Sequence, residues 1–186
     1  TDVARATSFF EEAIEAGRQQ EDAQGIAESL IHLGNHLRNE LDLSRALDAL
    51  TEAHSVVQES GDASIEPVAK WYLADTYRVL QQWGRASEMA ESLFEESIEH
   101  GRIPLVGASL CLMGLIALDR GDYALAFQKF RASLNWNRTK LGLGMDVLNL
   151  LGWPTLATRE GKHQRATTLY GAYHTSAQTD VRANRL

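Results

Sequence analysis

Cysteine is almost absent from this 186-residue chain: Cys111 stands alone, so no internal disulfide can form and nothing points to an oxidising compartment. Cys111 lies in the apolar run Leu110-Cys111-Leu112-Met113, the setting of a buried structural thiol and not of a nucleophile, which needs a base beside it. Proline is scarce, with three residues, and no long Gly/Ser tract occurs. With no linker to divide it, the chain is expected to form one domain over residues 1–186. No apolar run approaches the ~18 residues that a membrane span requires. The opening residues, Thr1-Asp2-Val3-Ala4-Arg5, have neither the character of a secretory signal nor an initiator methionine. A cytoplasmic piece of a longer chain is the expectation.

What the chain does have is apolar mass, 44% of its residues, enough for a sizeable core. Its net charge of −7 is unevenly spread: residues 1–100 carry 20 acids and 7 bases, residues 101–186 carry 5 acids and 11 bases. Such a division can orient a partner or favour head-to-tail contact and homodimerisation, although ordinary solvated helix faces are the better explanation.

The strongest signal is periodic. Ala6, Ala46, Ala86, Ala126 and Ala166 recur every 40 residues without a slip, and arginine precedes four of them. Four residues after each stand Phe10, Leu50, Ala90, Phe130 and Tyr170, and seven after stand Ala13, Ala53, Leu93, Ser133 and Tyr173. These offsets, with an apolar or aromatic residue or His163 at −3, trace one face of an α-helix. Twelve residues before four of the alanines stand Gly34, Ala74, Gly114 and Pro154, the centre of a second helical face on which a small residue lets a neighbouring helix approach. The unit is therefore a helix, a short turn, a second helix and a connection. Turn signals occur at Leu41-Asp42, Gln82-Trp83-Gly84, Gly121-Asp122 and Gly161-Lys162, with connections at Gly61-Asp62, Gly101 and Gly142-Leu143-Gly144. The pattern predicts nine helices, near residues 2–19, 24–39, 43–59, 65–80, 83–99, 104–119, 122–137, 145–160 and 163–177. Pro154 should kink or split the eighth.

Gly114…Tyr123-Ala124-Leu125-Ala126…Phe130 and Gly34…Leu43-Ser44-Arg45-Ala46…Leu50 resemble the tetratricopeptide repeat (TPR), and the resemblance covers nearly the whole chain. It implies an all-α fold, a right-handed α-α superhelix or TPR-like solenoid of stacked helix pairs. A narrower likeness lies at the end, where Gly152…Leu156…Gly161…Arg165-Ala166…Leu169…Gly171-Ala172 resembles the closing repeat of large bacterial ATP-dependent transcriptional regulators of the LuxR-type and AfsR-like groups. The 40-residue period suits that family better than the common 34-residue unit does. The resemblance implies a sensor and interaction module that binds a protein, a peptide or a small inducer; the alternative is a stand-alone peptide-binding adaptor or signal-peptide receptor.

By analogy with the repeat, the first helices of successive pairs line a binding groove. Its positions are Ile31, Asn35, Arg38 and Asn39, then Trp71, Asp75 and Arg78, then Cys111, Leu115 and Asp119, then Leu151, Thr155 and Arg159. Asn35 can bond an extended peptide backbone, Arg38 and Arg78 can grip carboxylates, and Trp71 can act as an apolar anchor; contact with a neighbouring subunit, or with water alone, is the equal alternative for these positions.

Other chemistry finds little support. His32 and His36 are spaced to chelate zinc, but no Glu completes a His-Glu-x-x-His motif and no third ligand is evident. Gly142-Leu143-Gly144 lacks the lysine and hydroxyl of a phosphate loop. Glu11-Glu12 and Glu95-Glu96 read as solvated acids. Arg159, Lys162, Arg165, Arg182 and Arg185 are too sparse for a DNA footprint. No enzyme, metal, cofactor or direct nucleic-acid binding is expected.

Overall fold

The computed structural model describes residues 2–61, 64–140, 155, 157–159 and 161. Among the described residues, seven helices are delimited: α1 (Asp2–Gln19), α2 (Ala23–Asn39), α3 (Leu43–Ser60), α4 (Glu66–Val79), α5 (Trp83–Glu99), α6 (Ile103–Asp119) and α7 (Tyr123–Lys140). Every one matches an expected helix to within three residues at either end. Residues 155 and 157–159 are helical, as expected for the eighth. The Trp153-Pro154 break, Ala166 and the helix expected at 163–177 lie outside the described residues. No described helix is long and apolar enough to cross a membrane. The chain divides into two compact units, residues 1–89 and 90–186, with the division inside α5.

A single turn design joins most of the helices. Residues 21, 41, 61, 81, 101, 121 and 161 all have positive φ, so from 21 to 121 a left-handed residue follows a helix every 20 residues, and 161 lies 40 further on. After α2, the Asp42 N–H donates to the Leu37 carbonyl at 2.9 Å and the Leu41 N–H to the Arg38 carbonyl at 3.1 Å. This paired closure satisfies carbonyls that the helix end would otherwise leave orphaned. The same six-residue closure recurs from Asp22 to Gly17, Gln82 to Tyr77, Arg102 to Ser97 and Asp122 to Ala117. Three of these closing residues then cap the next helix: Asp22, Asp42 and Asp122 accept from the N–H groups of Gly25, Arg45 and Leu125 at 3.0, 3.4 and 3.0 Å. One aspartate thus ends one helix and starts the next. The expected turn at Gly84 is corrected: Gly84 lies within α5, and Gln81 takes the left-handed position.

In the first unit, α2 packs between α1 and α3, and α4 packs against both α2 and α3. Ala46 and Ala53 are wholly buried there, and Leu50 between them fits against Gly34, where an added Cβ would come within 2.5 Å of Leu50 Cγ. In the second unit, α6 packs against α7 in the same way. Phe130 fills the space over Gly114, where a Cβ would meet its Cε1 at 2.5 Å. One turn later, buried Ser133 donates from Oγ to the Gly107 carbonyl at 2.6 Å. Ala86 and Ala126 are also fully buried. The pattern loosens on α1, where Ala6 is half-buried and Ala13 is exposed. Ile14 and Gly17 make that contact instead, a Cβ on Gly17 meeting Ile26 Cγ1 at 2.9 Å.

The fit at the glycines predicts that one substitution acts in opposite directions at two sites. A Cβ on Gly84 would meet nothing within 4 Å. Gly84→Ala should therefore stabilise by about 0.5 kcal/mol through helix propensity. Gly114→Ala gains the same propensity but crowds the Phe130 ring, and should destabilise by about 1 kcal/mol net. Urea denaturation of both variants checks the signs.

Candidate functional site

The face that carries the most concentrated polar chemistry is shared by α2 and α4. On α2, Asn35, Arg38 and Asn39 follow the i, i+3, i+4 spacing of one helical face; on α4, Trp71, Asp75 and Arg78 do the same over two turns. The 40-residue repeat puts Asn35 and Asp75 in equivalent positions, and likewise Arg38 and Arg78. Because α2 and α4 pack side by side, these repeats converge.

Asp75 is the centre. Its side chain is only 4% exposed, and its two oxygens are divided between two guanidiniums. Arg38 Nη1 donates to Oδ2 across the helix pair, and Arg78 Nε donates to Oδ1 at 2.7 Å. A buried carboxylate requires such partners, since a lone charge of this kind costs several kcal/mol to desolvate. Arg38 Nη2 also donates to Asn35 Oδ1 at 2.9 Å and reaches Asn39 Oδ1 at 3.5 Å. Its guanidinium carbon lies 5.7 Å from the Tyr72 ring centre, and Tyr72 meets Trp71 edge to face at 5.1 Å. Arg38 Nε is buried without a hydrogen-bond partner among the described residues.

Of the expected groove positions, the structure thus joins Asn35, Arg38, Asn39, Asp75 and Arg78 in one network, with Trp71 linked to it through Tyr72. Two positions are corrected. Ile31 is 3% exposed within the core of the first unit, and Cys111 is 2% exposed beside Ala126 and Phe130 in the second. Their apolar side chains turn inward because that is where burial stabilises them. The role expected for the arginines also changes: both already hold a carboxylate, that of Asp75. In the second unit Leu115 is half-buried, and Asp119, Thr155 and Arg159 are exposed; Leu151 lies outside the described residues. Tyr72 was not among the expected residues. Its position in the repeat is that of His32, which is not among the expected groove positions, and only the crossing of α2 and α4 reveals its place under Arg38.

His32 and His36 hold α1 to α2. Both rings lie against Phe10, with centroids 6.2 and 6.0 Å away, and His36 Nε2 is 3.3 Å from the Val3 carbonyl. Among the described residues no group of three or more His, Cys, Asp or Glu side chains is placed to hold a metal ion.

Removing Asp75 should expose how much the network holds together. Asp75→Ala leaves two guanidiniums facing each other in a half-buried site and should cost about 3 kcal/mol. Arg18→Ala, which breaks a pair whose partners are about half exposed, should cost under ~1 kcal/mol. Chemical denaturation of the two variants gives the comparison.

No family model matches the chain, and no curated protein matches it. Among solved structures it is similar to the nearly identical TPR-like repeats of a candidate kinesin light chain from Podosopora anserina, with a TM-score of 0.57 over 96% of each chain at 13% identity. That likeness concerns the fold: the chain is an all-helical, TPR-like α-solenoid.

Proposed function

We propose that this chain is a non-catalytic protein-interaction module whose α2–α4 face binds an extended peptide segment. The observation that carries the reading is the orientation that Arg38 imposes on its neighbours. A guanidinium has only donors, so Asn35 and Asn39 must turn their Oδ1 atoms towards it. Their Nδ2 donors then point away from Arg38, ready for the carbonyls of a peptide backbone. Trp71 and Tyr72 add rigid aromatic surface beside those donors, the kind of side chain that anchors interfaces. Arg38 itself is held by Asp75 and Tyr72, so little conformational freedom is lost on binding.

The fuller reading is that the module serves as the sensor of a bacterial transcriptional regulator of the LuxR-type or AfsR-like kind. Its support lies in the sequence: the 40-residue period and the closing pattern Gly152…Gly161…Arg165-Ala166. A native reading frame that encodes a nucleotide-binding domain ahead of this segment is the expected finding. A frame containing the repeats alone would leave the adaptor reading in its place.

Peptide binding is tested by selecting ligands from a random peptide library and measuring them by fluorescence anisotropy. Asn35→Ala and Trp71→Ala should each weaken the selected peptide by about tenfold, equivalent to ~1.4 kcal/mol. Unchanged affinity in both variants removes the α2–α4 face from the account.

A further inference from the structure

The first unit has a second concave feature, built from the other side of α2. Leu30, Leu33 and Leu37 recur at helical spacing on the side of α2 opposite Asn35 and Asn39, and they floor a cavity of about 310 Å³. Ile14 of α1 forms one wall and Ala49 of α3 the other. At each end an ion pair bridges α1 to α3: Arg45 to Glu11 at 3.1 Å and Arg18 to Glu52 at 2.5 Å. Both pairs join residues 34 apart in sequence, so they are parallel straps, and two helical turns, roughly 10 Å, separate them along each helix. The mouth lies between the straps.

Asp48 stands at that mouth. It follows Arg45 by three residues and precedes Glu52 by four, which places it between the two straps on the α3 rim. Among the described residues its carboxylate has no hydrogen bond or ion pair. The two rim arginines are not available to it: Arg45 also lies 3.6 Å from Asp42, and Arg18 lies 4.0 Å from Glu15. The rim therefore carries an acidic surplus over a hydrocarbon floor.

We infer that this cavity is a binding site for a small amphiphilic cation, an apolar body about the size of one ring carrying an ammonium group. The ring would sit on Leu30, Leu33 and Leu37 between the straps, and the ammonium would pair with Asp48. The volume suits this occupant: small-molecule pockets begin at roughly 300 Å³, and a cavity of about 150 Å³ accommodates benzene. A carboxylate of the same shape meets the acidic rim and is disfavoured. This site shares no residue with the α2–α4 face.

Three probes of one shape separate the possibilities: 2-phenylethylamine, 2-phenylethanol and 3-phenylpropionate, titrated into the whole chain and followed by saturation-transfer NMR. The amine should bind saturably, with a Kd on the order of 1 mM, and the other two at least about threefold more weakly. Asp48→Asn, at an exposed position, should reduce amine affinity to that of the alcohol and leave the alcohol unchanged. Ala49→Leu should fill the cavity and abolish binding of all three; if circular dichroism shows this variant to be unfolded, Asp48→Asn decides alone. Trp71→Ala should leave amine binding intact, so that failure of the peptide reading and of this one are distinguishable. Equal binding of the three probes, amine affinity unchanged by Asp48→Asn, or no saturable binding overturns the inference.

Discussion

Where α2 meets α3 and α6 meets α7, a large side chain of one helix needs room on the other, and glycine provides it. Leu50 enters the gap over Gly34, and Phe130 enters the gap over Gly114. In both pairs the large residue follows the small one by 16 positions. That spacing works only with a turn of fixed length. The paired closure at residues 37–42 and 117–122 fixes the length, and Asp42 or Asp122 starts the next helix without a spare residue. One residue more in the turn would rotate the second helix by about 100° and carry its knob off the gap. Turn chemistry and core packing are therefore a single constraint, repeated along the chain.

Much of that constraint is legible in the sequence because it repeats. The alanines at 46, 86 and 126 announce a buried helical stripe, and Gly34 and Gly114 announce the gaps that receive it. The turns are harder to read. Glycine supplies the left-handed residue at 61, 101, 121 and 161, but Glu21, Leu41 and Gln81 occupy the same conformation, and of these only Leu41, beside Asp42, stands in a turn signal. Each tolerates a cost of roughly 1 kcal/mol because the hydrogen bonds around it leave no other choice. On α1 the stripe slips from Ala13 to Ile14, a shift of one residue that a 40-residue register cannot anticipate.

The proposed binding face is legible as a set of positions but not as an arrangement. Repeat analogy selects Asn35, Arg38, Asp75 and Arg78, and they do meet. Sequence spacing conveys that Arg78, three residues further on, can reach Asp75; what it cannot convey is that Arg38 reaches the same carboxylate from α2. The same analogy selected Ile31 and Cys111, although their apolar character already argued for burial. Position in the repeat gives the direction in which a residue points only while the helix keeps its ideal rotation, and side-chain chemistry corrects that estimate where it errs.

The Arg38–Asp75–Arg78 cluster is an expensive way to hold α2 to α4. A well-packed apolar trio in its place would hold them about as firmly, since the desolvation of buried charges offsets most of their attraction. Stability alone therefore does not account for it. What the charges add is direction: Asp75 fixes Arg38, Arg38 fixes the amides of Asn35 and Asn39, and the amides face their donors away from the cluster. An apolar trio could not impose that order. The opposite side of α2 shows the complementary solution, with Leu30, Leu33 and Leu37 supplying contact without direction. One helix thus separates the two tasks by face: non-directional burial where neighbouring helices must be held, and a chain of charge-assisted hydrogen bonds where a particular arrangement of donors must be presented.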